Sequence, residues 1–219
     1  LDPSGGAGII ADAAAIRVAG CHPAAVCSVI TVQNGVEFTR SISQSPENIL
    51  DCAGAVLKSN NVSAIKIGAV GDLAAAGAVL ELLDSHDSIP VVLDPVLAST
   101  SGGVLVTDGA LELLRERIIP KVDLVTPNLV EAGIICGAEL ETVEQMEKAA
   151  QTIADLGSGA VLVKGGHLRG EESIDVLVCD GRVERLASPR LDLPEVRGTG
   201  CVLASLVASY IGLGQTIEN

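Results

Sequence analysis

The sequence predicts an α/β protein in which a mostly parallel sheet is covered by helices. Short apolar, β-branched runs alternate with Ala- and Leu-rich stretches of helical length along the chain, the pattern of strands buried on both faces. Most of these runs end on a polar residue beside Gly or Pro, as at Leu93-Asp94-Pro95, Thr126-Pro127-Asn128 and Val163-Lys164-Gly165, where the strands of such sheets present their ligand-binding ends. With 219 residues, 48% of them hydrophobic, the chain can bury one large core. No repeat, low-complexity tract or linker divides it, so residues 1–219 read as a single domain.

The chain opens on the glycine-rich loop Leu1-Asp2-Pro3-Ser4-Gly5-Gly6-Ala7-Gly8. Such a loop normally follows a strand, so a strand preceding Leu1 is expected. Ile9 to Ala19 reads as an Ala-rich helix stopped by Gly20. The β-branched run Ala24 to Val32 predicts a strand that ends in the turn Gln33-Asn34-Gly35. Pro46 to Ser59 has Ser45 as N-cap and Pro at its first position. Ala64 to Ile67 is a short strand, Leu73 to Leu83 a helix, and Pro90 to Pro95 a buried strand. Ser99-Thr100-Ser101-Gly102-Gly103 is a small-residue loop. A helix over Asp108–Ile118, a strand over Val122–Asn128 and helices over Leu129–Cys136 and Val143–Leu156 follow. Gly159 to His167 is the clearest strand and glycine turn. Ser173–Cys179 and Arg182–Leu186 form a hairpin through Asp180-Gly181. From Pro189 and Pro194 the chain reaches Arg197-Gly198-Thr199-Gly200-Cys201 and a last helix starting near Gly200.

Charge and composition exclude several functions. Twenty-eight acidic against 14 basic residues argue against extended contact with nucleic acid or anionic membrane. One Tyr, one Phe and no Trp leave no base-stacking platform. The six cysteines show neither C-x-x-C pairs nor zinc spacing, and with no membrane-length apolar run they point to a reduced, cytoplasmic protein.

The Gly198 loop is the centre of the functional reading. It leads into a helix N-terminus, whose unpaired amides and positive dipole end suit a phosphoryl group. Cys201 lies in that field, which lowers a thiol pKa and makes it a candidate base; alternatively it is a small buried packing residue. Lys164, at the end of an apolar strand and before two glycines, calls for an anion. Asp94, Asn128 and Glu131 could each be only turn or cap residues. Together with Lys164 and the loop they supply the cation, the carboxylates for Mg²⁺ and the amides that phosphoryl transfer needs. No G-x-x-x-x-G-K-[ST] loop and no H-R-D or D-F-G element occurs.

These motifs, with Asp2–Ile9, Ala11-Asp12, Val32-Gln33-Asn34, Lys66-Ile67-Gly68 and Val163–His167 in the same order, resemble the hydroxymethylpyrimidine/phosphomethylpyrimidine kinases of thiamine biosynthesis, within the ribokinase-like superfamily. The resemblance covers essentially the whole chain. It implies a three-layer α/β/α ribokinase-like fold and a cytoplasmic homodimer using ATP and Mg²⁺. The small-molecule substrates would be 4-amino-5-hydroxymethyl-2-methylpyrimidine and its monophosphate. By motif position Gly8, Asp12 and Gln33 would contact the pyrimidine. Lys164, Asn128 and Glu131 would serve ATP, with Asp94 and Glu131 at the metal. Gly198, Thr199, Gly200 and Cys201 would form the anion hole and base. Ala69, Gly35 and Arg197 depart from the usual Met, Thr and His, and the smaller Ala69 opens the question of pyridoxal-type substrates. A non-catalytic domain that binds the pyrimidine phosphate is the other alternative. The resemblance also implies further chain beyond the Gly200 helix.

Overall fold

The computed structural model describes residues 1–34, 37–99, 102–166, 168, 170–191 and 196–217. Gly35, Thr100, Ser101, His167 and Pro194, singled out above, lie outside the described residues. The elements follow in chain order: α1 (Gly8–Val18), β1 (Val29–Gln33), β2 (Phe38–Ser43), α2 (Pro46–Ser59), β3 (Ile65–Ile67), α3 (Leu73–Ser85), β4 (Val91–Leu93) and α4 (Asp108–Leu113). After α4 a π-helical turn (Leu114–Ile118) and a 3₁₀ turn (Ile119–Lys121) lead to β5 (Leu124–Val125). Then come α5 (Leu129–Cys136), α6 (Val143–Ala154), β6 (Ala160–Val163), β7 (Glu172–Cys179), β8 (Arg182–Pro189) and α7 (Thr199–Gly212).

The main sheet has the order β3-β4-β5-β6-β7-β8. Its first four strands are parallel, β7 runs antiparallel to β6, and β8 runs antiparallel to β7. Alternation along the strands explains the layers. Val91, Leu93, Val125, Val161 and Val163 point into a core shared with α3 to α6. Val92, Leu124, Ala160 and Leu162 point the other way, against Ala204 and Ala208 of α7. Helix α1 packs on α7, and α2 packs on α3. Side chains such as Leu93, Ile118 and Ile153 are completely buried, each contributing about 1.5 to 3 kcal/mol of apolar burial.

Ser45 caps α2 as the sequence predicts, whereas the side-chain caps of α3 and α6 are found only in the structure and Thr107 makes no cap bond at α4. Ser45 accepts from the Asn48 N–H at 3.2 Å, Asp72 from the Ala75 N–H at 3.0 Å, and Thr142 with Gln145 forms a capping box. Asp180 and Gly181 both take positive φ, 49° and 72°, as a two-residue hairpin turn requires.

Two expectations are corrected. The strand predicted from Ala24 begins only at Val29, because residues 24–28 have no ladder partner among the described residues; its pairing starts where β2 lies antiparallel to it. Strand β2 itself was not foreseen: its six residues carry only Phe38 and Ile42 as large apolar side chains. Phe38 covers Gly103, where a Cβ would collide with its ring. The strand predicted over Val122–Asn128 reduces to Leu124–Val125, since Pro127 cannot donate to a ladder.

Candidate active site

The carboxyl ends of the parallel strands lie side by side. The Asp94 N–H donates to the Ile67 carbonyl, Thr126 N–H to Leu93 and Lys164 N–H to Pro127, each at 2.8 Å. This stagger places the residue after each strand at one edge, with Asp94 following β4, Asn128 beyond β5 and Lys164 following β6. Lys164 Nζ lies 2.9 Å from Asp94 Oδ1, so the anion that the buried lysine meets in the free protein is Asp94, itself 2% exposed. Lys66 reaches the other Asp94 oxygen at 3.9 Å and Asp12 Oδ1 at 3.0 Å.

Asn128 and Glu131 form the capping box of α5: Asn128 Oδ1 accepts from the Glu131 N–H at 2.9 Å, and Glu131 Oε2 from the Asn128 N–H at 2.8 Å. Asn128 and Glu131 are therefore cap residues, and the cap also carries them to the site, since Asn128 bridges to Lys164. Burial, and then the charge of Asp94, hold the Glu131 carboxyl at about 7, against the lowering influence of Lys164 and the Asn128 N–H.

On the other side of the sheet Gly198 starts α7 in the left-handed region, φ +76°, and a Cβ there would run into the Gly6 carbonyl oxygen. Gly200 leaves room for the Lys164 ammonium, since a Cβ there would lie 2.9 Å from Lys164 Nζ. The N-terminus of α7 has no side-chain cap, which leaves the first amides free for an anion, and Thr199 is exposed at its start. Cys201 is buried one turn in. The Gly8 backbone N–H lies near enough to its sulfur to lower the thiol pKa.

The expectation of a thiol pKa near neutrality is corrected. Burial pushes the Cys201 thiol up to about 11; Lys66 and the Gly8 N–H pull it down, but Asp94 and Asp12 oppose them. Desolvation and two nearby carboxylates outweigh the lowering influence of Lys66 and the Gly8 N–H.

Asp12 lies one turn beyond Gly8 on α1, and its Oδ1 accepts from Ser205 Oγ at 2.9 Å as well as from Lys66. Gln33 ends β1, and its Oε1 is buried without a hydrogen-bond partner among the described residues, as a group awaiting a ligand donor would be. The predicted residues thus fall into a phosphate side (Lys164, Asn128, Glu131, Asp94, Gly198–Cys201) and a substrate side (Gly8, Asp12) that meet at Cys201, with Gln33 at the end of β1.

The sequence assigns no role to three contributors, although Lys66 and Arg197 stand in its motifs. Lys66, in Ile65-Lys66-Ile67-Gly68, carries the same signal as Lys164, a cation in an apolar strand before glycine. Its ammonium would be pushed toward neutrality by burial, yet Cys201, Asp94 and Asp12 raise its pKa above the usual lysine value. Arg197 ties three loops together, through Asp2 Oδ2, Ser4 Oγ and the Asn34 carbonyl, each at 3.3 Å. Ser205 had no signal beyond being four residues from Cys201. A groove of about 560 Å³ along the outer edge of β3, lined by Ile9, Val26, Ile65 and Ala208, shares only its Asp12 and Lys66 wall with this constellation. The groups suited to phosphoryl transfer do not line it.

Among the described residues no set of three or more His, Cys, Asp or Glu side chains is arranged around a metal site. All six cysteines are free, and no described helix is long and apolar enough to cross a membrane.

Comparison with known proteins finds a match over residues 2–219 to the family model described as phosphomethylpyrimidine kinase. A hydroxymethylpyrimidine/phosphomethylpyrimidine kinase of Aquifex aeolicus is 36% identical over 212 residues, which cover 96% of this chain and 83% of that protein. Among solved structures, a phosphomethylpyrimidine kinase from Clostridium difficile has a TM-score of 0.85 at 32% identity, over 100% of this chain and 90% of that one. The ADP complex of a Bacillus subtilis pyridoxal kinase has a TM-score of 0.90 at 27% identity, over 100% and 83%.

Proposed function

The chain belongs to the phosphomethylpyrimidine kinase family, and from that membership we propose how its residues carry out the family's reaction in thiamine biosynthesis. It is a kinase that transfers the γ-phosphoryl group of ATP to the hydroxymethyl oxygen of 4-amino-5-hydroxymethyl-2-methylpyrimidine, and then a second phosphoryl group to the resulting monophosphate. The observation that carries the assignment of roles is the meeting of the two halves at Cys201, where the free α7 amides, the Gly8 N–H and the two lysine–carboxylate pairs converge.

Gly8, Asp12 and Gln33 hold the pyrimidine, with the orphaned Gln33 Oε1 accepting from its ring edge. Lys164 moves from Asp94 toward the ATP phosphates, and Asn128 and Glu131 line that side. The substrate oxygen attacks the γ-phosphorus as the bond to the β–γ bridging oxygen breaks and ADP leaves. The amides of Gly198 to Cys201 stabilise charge on the transferring group. Because such transition states are loose, the hydroxyl proton leaves late, and Cys201 Sγ is the acceptor at hand.

Asp94 and Glu131 suit Mg²⁺: both are buried carboxylates, hard oxygen donors, and the charge of Asp94 raises the pKa of Glu131. One or two of these, completed by water and phosphate oxygens, is the usual complement for that ion. Bound there, Mg²⁺ would neutralise charge on the β- and γ-phosphates. The family resemblance also supports a cytoplasmic homodimer, which sedimentation of the purified protein checks.

A coupled assay of ADP release, run separately with the pyrimidine alcohol and its monophosphate, tests the reading; no ADP release with either would overturn it. Pyridoxal phosphorylation is the second reading, favoured by Ala69 in place of the larger Met and by the likeness to a pyridoxal kinase. A kcat/KM for pyridoxal at least tenfold above that for the pyrimidine would select it.

A further inference from the structure

Helix α1 packs on α7 with the Gly8 N–H near Cys201, and four residues further along both helices Ser205 Oγ donates to Asp12 Oδ1 at 2.9 Å. Ser205 is completely buried, and its own carbonyl accepts from Ser209 Oγ at 2.7 Å, one turn further along. From the sheet, Lys66 Nζ closes on the same Asp12 oxygen at 3.0 Å. Gly68 leaves room for that ammonium, since a Cβ there would lie 3.3 Å from it. Two donors from two different layers therefore converge on Oδ1 of a carboxylate that is 17% exposed, while Oδ2 has no hydrogen-bond partner among the described residues.

We propose that Lys66 and Ser205 are positioning residues that pin Asp12 by one oxygen and leave the other to accept one N–H of the substrate's amino group, Gln33 taking the other, so that this pair contributes to selectivity for an amine-bearing pyrimidine. The proposal rests on the kinase reading above. A carboxylate held by two donors cannot rotate without breaking both contacts, so Oδ2 keeps one direction. A carboxylate is acceptor-only while ionised, so a ligand that lacks a donor at that point leaves the oxygen unpaired. Lys66 also lies 3.9 Å from Asp94 Oδ2, which links the substrate carboxylate to the phosphate side through one charge.

The test compares 4-amino-5-hydroxymethyl-2-methylpyrimidine with its analogue lacking the amino group, by calorimetric binding and by turnover, in wild type, Ser205→Ala and Lys66→Met. The expected result is that wild type prefers the amino compound. The preference falls about tenfold in Ser205→Ala and further in Lys66→Met, as for loss of a hydrogen bond to a charged group. A purely structural role would weaken both ligands alike. An unchanged preference in folded Ser205→Ala, or no preference in wild type, overturns the proposal. Ser205→Ala decides alone if Lys66→Met does not fold, because Ala suits a helix interior. Binding preference is read without turnover, so an inactive wild type that still discriminates would sink the kinase reading and leave this inference standing.

Discussion

Glu131→Gln separates the stability of this site from its activity. Gln can keep the α5 capping box by accepting from the Asn128 N–H in place of Glu131 Oε2, so the helix start survives while the charge is removed. In the folded protein the Glu131 carboxyl is held at about 7, against 4.5 for the free side chain, first by burial and then by Asp94. Between these values the unfolded chain has released the proton and the folded chain still holds it, so stability falls as pH rises from about 4.5 to 7 and levels off above. The displacement corresponds to about 3 kcal/mol. At pH 8 Glu131→Gln is therefore expected to be more stable than wild type by up to about 3 kcal/mol, or roughly 6 to 12 °C in Tm for a chain of this size. At pH 4.5 the advantage disappears. Urea unfolding at both pH values measures the difference, and ADP release in the same samples should fall with a raised Mg²⁺ requirement, because the second carboxylate is lost. A stability difference independent of pH would refute the electrostatic argument, and undiminished turnover would remove Glu131 from the metal side.

Lys164→Ala should lower kcat/KM for ATP by about 2 to 4 kcal/mol in transition-state terms while pyrimidine affinity changes little, and an unchanged value would take Lys164 out of the site. With its thiol at about 11, Cys201 is ionised in only about one molecule in 10⁴ at pH 7, so kcat/KM should climb about tenfold per pH unit from 7 to 9 if the thiolate is the base. Cys201→Ala should abolish that climb and cut kcat by roughly 10²- to 10⁴-fold with ligand binding retained; near-normal turnover in the folded variant would falsify the base assignment. Gly198→Ala forces a side chain into the left-handed region and against the Gly6 carbonyl, so it should cost about 2 kcal/mol or more and reduce kcat/KM at least tenfold; a wild-type melt and rate would show that the loop tolerates the change.

The layers, most helix limits and the strand ends were legible in the sequence because they rest on local physics: a period of alternation, a capping side chain, a Pro or Gly that stops an element. Ser45 and Asn128 cap the helices they precede, and Asp94 and Lys164 end the strands they follow. The nature of the site residues was also legible, since a lysine after an apolar strand has few structural uses. Strand β2 and the true start of β1 were not, because a strand's limits are set by the partner it pairs with, at a distance no local window contains. Nor could the sequence decide ionisation: it placed Cys201 in a field that lowers a thiol pKa, whereas the folded chain buries it beside Asp94 and Asp12 and drives it the other way. Which lysine meets which carboxylate, and that Ser205 and Lys66 converge on one oxygen of Asp12, depend on residues 54 to 193 positions apart in the chain. Local sequence supplies the charges and the helix ends; only tertiary packing sets their separations and their access to water, and with them the energies that separate a base from a packed thiol.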